Sequence, residues 1–177
     1  MKTVNLIIGM MLLLPAVALT SCSDDEPKGN EAKPRVDIVL TRSEKAVNAA
    51  ATSFGVKMIN PINKYAQEKG LDNWTMSPLS ASEVLGIMAN GANGETLEQI
   101  CDLLGVDSEN LADVNSYYKN IKSQLFEVDN TAKLNIANTV YLDDAFSALP
   151  DFEQTCKDYF DAPIHISDFD SESTWTE

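Results

Sequence analysis

Apolar residues recur at helical spacing from Ser43 onward. Val47, Ala50 and Ala51, Phe54, Met58, Ile62 and Tyr65 fall three or four positions apart, which predicts a helix with Ser43 as its N-cap. Pro61 lies inside that run, removes a backbone donor and costs ~3 kcal/mol if unrelieved, so the helix is expected to stop near Asn60 and resume. A turn at residues 70–73 leads to a short strand ending at Ser77. Ser77 is suited to cap the next helix, with Pro78 at its first position, where a missing N–H costs nothing. Leu79, Leu85, Met88 and the apolar residues between them leave little polar face, so this helix should be buried on most sides. After a glycine-bearing turn at residues 91–94, Thr96 and Gln99 read as a capping box. Leu97, Ile100 and Leu104 then share a face, and Gly105 suits the left-handed residue after the helix.

The second part of the chain changes period. Leu111, Val114, Tyr118, Ile121 and Leu125 define one more helix face over residues 110–126. Residues 133–142 alternate, with Leu134, Ile136, Asn138, Val140 and Leu142 on one side, and predict a strand. Asp143-Asp144 reads as a turn after it, in preference to a metal site. Leu149-Pro150-Asp151-Phe152 opens a helix running to about Phe160. Residues 162–169 alternate again and suit an edge strand, because Pro163 cannot donate to a central ladder.

Composition narrows the chemistry. The 177 residues carry a formal net charge of −14, and 44% are apolar, a normal content for a globular protein. Such acidity argues against a nucleic-acid partner, which needs lysine and arginine patches. Cys22, Cys101 and Cys156 are too few for a disulfide framework and show no metal-ligand spacing; no metal or other cofactor is expected. Cys101, on a helix between Ile100 and Leu103, reads as a small buried hydrophobe. The lone histidine, His165, is a strand residue with no expected partner and no catalytic role. A hydrolase needs a nucleophile and a base close in space, and one histidine far from either later cysteine gives that little support.

The first residues are a targeting segment. Lys2 supplies the positive start, and Leu6–Leu14 with Val17-Ala18-Leu19 the apolar core, broken by Pro15 and too short for a permanent membrane helix. Leu19-Thr20-Ser21-Cys22 resembles a bacterial lipobox, which implies cleavage after residue 21 and lipidation of Cys22; an ordinary secretory signal with an incidental cysteine is the alternative. Ser23-Asp24-Asp25-Glu26 resembles the acidic export signal of lipoproteins sent to the outer face of the outer membrane, with a plain solvated tether as the other reading. Residues 22–42 as a whole read as a flexible acidic linker, mixing Pro, Gly, Lys and Glu with few large apolar residues.

The stretch from Asn73 to Gly105 carries a resemblance. An extended segment, Ser77-Pro78-Leu79-Ser80, a helix, then Gly91-Ala92-Asn93-Gly94-Glu95-Thr96-Leu97-Glu98-Gln99-Ile100 and Leu104-Gly105 resembles the serpin family of serine protease inhibitors. Leu134–Asp143 is similar to a strand of that family's large central sheet. The resemblance implies an α+β fold, with N-terminal helices packed on part of a large mixed sheet that is left incomplete. It implies that Ser77 and Ser80 match two serines of the shutter, where the sheet opens; read from the residues alone they are a helix cap and an ordinary hydroxyl. Residues 110–126 correspond to the helix on which some members bind a polyanion, but with only Lys119 and Lys122 basic, no heparin-like cofactor is expected.

The expected organisation is therefore a lipoprotein signal over residues 1–21, the linker 22–42, and the N-terminal half of a serpin domain over 43–177. A serpin presents a loop as bait, forms an acyl-enzyme with its protease, and inserts the loop as a new strand in the central sheet. Several strands, the second sheet and the reactive-centre loop lie beyond the resembling part. The chain alone is expected to be no enzyme and no inhibitor. In an intact form its partner would be a serine or cysteine protease, met at a lipid-anchored outer-membrane location with a periplasm-facing anchor as the alternative. The competing expectation is a non-inhibitory serpin-like binding module, or an orphan fragment of a truncated gene.

Overall fold

The computed structural model describes residues 34–171. The expected signal segment and Cys22 lie outside the described residues. Helix α1 spans Arg42–Glu68, α2 Pro78–Gly91, α3 Gly94–Leu104 and α4 Leu111–Leu125, the last preceded by a 3-10 turn at Ser108–Asn110. Strand β1 is Val140–Asp143. Helix α5, Pro150–Thr155, continues as a π turn through Cys156–Phe160, and β2 is Ile164–Ser167.

Helix α1 differs from its expected form at its start and in the middle. Its N-cap is Thr41, not Ser43. The Thr41 side chain accepts from the Glu44 N–H, and the Glu44 carboxylate accepts from the Thr41 N–H at 2.7 Å, a complete capping box. The helix also runs unbroken through Pro61. Pro61 and Lys57, one turn earlier, are both exposed, so water can serve the carbonyl that the proline leaves unbonded. Burial at Phe54 and Gly55 before the proline, and at Ala66 after it, holds the helix on both sides. Tyr65, expected on the buried face, is 57% exposed, with the Lys69 ammonium 5.8 Å from its ring centre.

Helices α1, α2 and α4 pack on one another around Val47, Ile87, Val114, Tyr118 and Ile121. At Gly86 helix α4 comes so near that an added Cβ would sit 3.1 Å from the Tyr118 ring. A smaller cluster of Ala89, Ile100 and Leu104, flanked by Leu85 and Leu97, seats α3 against α2. Gly105 closes α3 in the left-handed conformation, φ 75°, as its position suggests. The start of α3 differs: the cap is Asn93, whose side chain accepts from the Gly94 N–H at 2.7 Å, and Thr96 lies inside the helix. Gln99 donates instead to Glu95, one turn back. Helix α2 is buried along Ser82, Glu83, Gly86, Ile87 and Ala89, but Val84 and Met88 are about half exposed, so the all-round burial expected of it does not hold.

The sheet is a single parallel pair among the described residues. Val140 lies opposite Ile164 and Asp143 opposite Ser167, joined through α5. The strand expected over 133–142 is paired only from Val140, and residues 73–77 form no paired strand. Alternation predicts extended backbone; ladder hydrogen bonds need a neighbour, and no described strand lies beside those residues. Asp143-Asp144 is the expected turn: the Phe146 N–H bonds to the Asp143 carbonyl, and the Ala145 N–H to its carboxylate. Residues 35–41, part of the span expected as linker, are fastened along the end of α4. The Val36 N–H bonds to the Val128 carbonyl, the Val39 N–H to Gln124, and Arg35 pairs with Asp129 at 3.2 Å.

Candidate functional site

The site is built on the start of α2. Ser77 is extended, φ −116° and ψ 96°, and its Oγ accepts from the Ser80 N–H at 3.3 Å. The two hydroxyls share a hydrogen bond of 2.8 Å. Pro78 occupies the first helical position and leans on α1 at Gly55, where an added Cβ would lie 2.9 Å from the Pro78 Cβ. A glycine on α1 therefore sets how closely the Ser77-Pro78 corner approaches. Both serines are exposed. Among the described residues neither hydroxyl bonds an imidazole or a carboxylate, the partner a serine nucleophile needs.

One turn further, the side chains turn inward and the chemistry becomes polar and dry. Ser82 is fully buried and donates to the Leu79 carbonyl at 3.0 Å. Burial pushes the Tyr118 phenol far above its ordinary range, against a hydrogen bond with Ser82 that works the other way. Glu83 is 2% exposed. Its Oε1 accepts from the Lys122 ammonium of α4 at 3.4 Å and from the Asn138 amide at 2.8 Å. Both donors also reach the Phe160 carbonyl at the end of the π turn, Lys122 at 2.5 Å and Asn138 at 3.1 Å. Among the described residues no buried side-chain nitrogen or oxygen lacks a partner, as a buried charge pair requires if it is not to destabilise the fold.

This arrangement gives Lys122 a structural role and adds two residues. Lys122 is not a surface base on α4; it is buried and consumed by Glu83 and Phe160. Lys119 remains outside, 5.4 Å from the centre of the Tyr159 ring. Glu83 and Asn138 were not singled out in the sequence. Their signal was a carboxylate in an otherwise apolar helix, and an amide on the apolar side of an alternating strand.

The other candidates are placed plainly. Cys101 is buried on α3; burial first, then Glu98, Asp102 and Asp107 nearby, push its thiol up. Cys156 is fully buried in the π turn, and burial likewise raises its thiol. His165 does have a partner: its ring stacks on Tyr141 across the strand pair, centres 5.4 Å apart. The Asp143 carboxylate is engaged by the Ala145 and Phe169 N–H groups.

Comparison with known proteins agrees with this architecture. The profile of the family described as Serpin (serine protease inhibitor) matches residues 49–177. Neuroserpin of Gallus gallus is 28% identical over 132 residues, covering 75% of this chain and 32% of its own length. The crystal structure of the mouse protein-Z dependent protease inhibitor superimposes with a TM-score of 0.64 at 20% identity, over 75% of this chain and 35% of that one. Human thyroxine-binding globulin does so with a TM-score of 0.62 at 19% identity, over 75% and 35%. The fold is thus the α+β fold of these structures, seen in part. The matched part of the chain spans about a third of the length of these relatives.

Proposed function

Because this chain belongs to the serpin family, we propose that it is the N-terminal portion of a serine-type endopeptidase inhibitor acting as a suicide substrate. The observation that carries this reading is the Ser77–Ser80 hydroxyl pair capping α2 within the matched region. In the intact inhibitor, cleavage of a bait loop leaves an acyl-enzyme, and the loop enters the central sheet as a new strand. Strand pairing and burial gained on insertion drive the step. The work of this stretch is to seat α2, offer its two serine hydroxyls where the sheet parts, and hold β1 and β2 in that sheet. The bait belongs to the portion of the fold that this stretch does not match, so these 177 residues alone neither inhibit nor catalyse. The partner of the intact protein is a serine or cysteine protease.

The proposed location follows from the N-terminal sequence. A lipidated Cys22 anchors the protein at the outer membrane, facing outward by virtue of Ser23-Asp24-Asp25-Glu26. Multiple acyl chains give a stable anchor, since each buried CH₂ contributes ~0.8 kcal/mol. Replacing Cys22 by Ala then moves the protein from the membrane fraction to the soluble one.

The direct test is to mix the native product of the source cells with serine and cysteine proteases. A protease–inhibitor complex that survives denaturant is expected, and turnover of the protein as an ordinary substrate by every protease contradicts the reading. A second reading, a serpin-like binding module without inhibition, is favoured by the shared fold with thyroxine-binding globulin, a protein named for what it binds.

A further inference from the structure

The strand pair is thinly held by apolar contact. Tyr141 is 58% and Ile166 55% exposed, and only Val140 and Ile164 lean on the main core. The polar cluster grips it at a better place. Asn138 stands two residues before β1, and Phe160 four residues before β2. Between Phe160 and β2, Asp161 takes the left-handed conformation, φ 53°, which a non-glycine residue adopts only at a cost. The Ala162 N–H bonds back to the Cys156 carbonyl, so the Phe160 carbonyl is turned out of the helix and toward Lys122 and Asn138. Two donors thus share two acceptors, and four segments meet: α2 through Glu83, α4 through Lys122, and the entries to both strands.

We propose that Glu83, Lys122, Asn138 and the Phe160 carbonyl form a latch that fastens the entries of β1 and β2 to the helices, and that this latch, more than apolar packing, sets how readily the strand pair lifts away. A charged donor makes the stronger hydrogen bonds, and in a dry setting losing it strands a carboxylate. The latch is therefore stiff while complete and fails as a unit. Its bearing on sheet opening rests on the function proposed above; its existence does not, and the test below reports on the latch whether or not any protease is inhibited.

Cys156 lies fully buried in the core that Val140 and Ile164 cover, whereas Cys101 lies buried on α3, away from the strands. The two thiols give a probe and an internal control. The full chain is exposed to a neutral thiol reagent under native conditions, and labelling of each cysteine is followed by peptide mass spectrometry. Lys122→Met keeps the bulk and removes the charge; Asn138→Ala removes the strand-side donor and leaves the ion pair. Each variant is expected to speed Cys156 labelling at least tenfold and Cys101 labelling less than twofold. Unchanged Cys156 labelling, or equal acceleration of both thiols, overturns the latch. Should Lys122→Met lose its helical circular dichroism, Asn138→Ala decides. Collapse of both variants also overturns it, because the cluster would then hold the whole fold and not the strand pair.

Discussion

The helical layer and the strand pair are stabilised in opposite ways. Helices α1, α2 and α4 enclose an apolar core in which Val114, Tyr117 and Tyr118 are almost fully buried, and the N-terminal ends of α1 and α2 are closed by side chains of Thr41, Glu44 and Ser77. The strand pair has one neighbour on one edge, half-exposed apolar side chains, and at its entries a buried polar cluster beside the core residues Phe160 and Ala162. The helical layer resembles a finished core. The strands resemble the beginning of a larger sheet, since apolar side chains and free edges are otherwise a liability for pairing with other chains.

That contrast is broken or sharpened by substitution. The largest effect is expected at Tyr118, where truncation to Ala empties the centre of the helical core and costs about 3–5 kcal/mol by denaturant titration. An equally large loss on replacing the exposed Ile166 by Ala would erase the distinction; the expected cost there is within about 0.5 kcal/mol. Next comes Gly55→Val, which drives a side chain into Pro78 and is expected to cost about 1–3 kcal/mol while displacing the Ser77 corner. Thr41→Ala removes the cap of α1 at about 1 kcal/mol.

The Thr41 substitution carries a pH signature as well. Burial works to raise the Glu44 carboxyl, but hydrogen bonds from the Thr41 backbone, the Thr41 side chain and Asn120 outweigh it and hold the group below its ordinary value of 4.5. A depressed carboxyl contributes stability that is present above its unfolded value and lost as the pH falls through the folded one. The parent chain should therefore lose part of its stability on acidification below 4.5, and Thr41→Ala should lose less over the same range.

Much of the helical layer was legible because helical periodicity reports burial directly. Val114, Tyr118 and Ile121 share the face that their spacing gives, Ser77 caps α2, and Gly105 ends α3. Local choices between rival caps were less legible. Ser43 and Thr96 are plausible caps by residue type, yet Thr41 and Asn93 win because the backbone has already turned helical by the later residue. Pro61 shows tertiary packing overriding a local breaker. The strands were legible as extended chain but not in length, because pairing depends on a neighbour that alternation does not name. At the site, the serine pair was visible as a motif, whereas the sequence showed Lys122 only as one of two basic residues on its helix. Its burial depends on Glu83 and Phe160, each nearly forty residues away in the chain. No local pattern brings those three together.

The central claim is that β1 and β2 belong to a larger sheet supplied by the rest of a serpin. The most direct measurement is the native size of the product, by immunoblot of the source cells with an antibody raised against residues 43–177. A band well above the 19.4 kDa of this chain is expected, since the relatives it matches are more than twice as long. A single band at or below that mass, in a protein that remains soluble and monomeric, would contradict it.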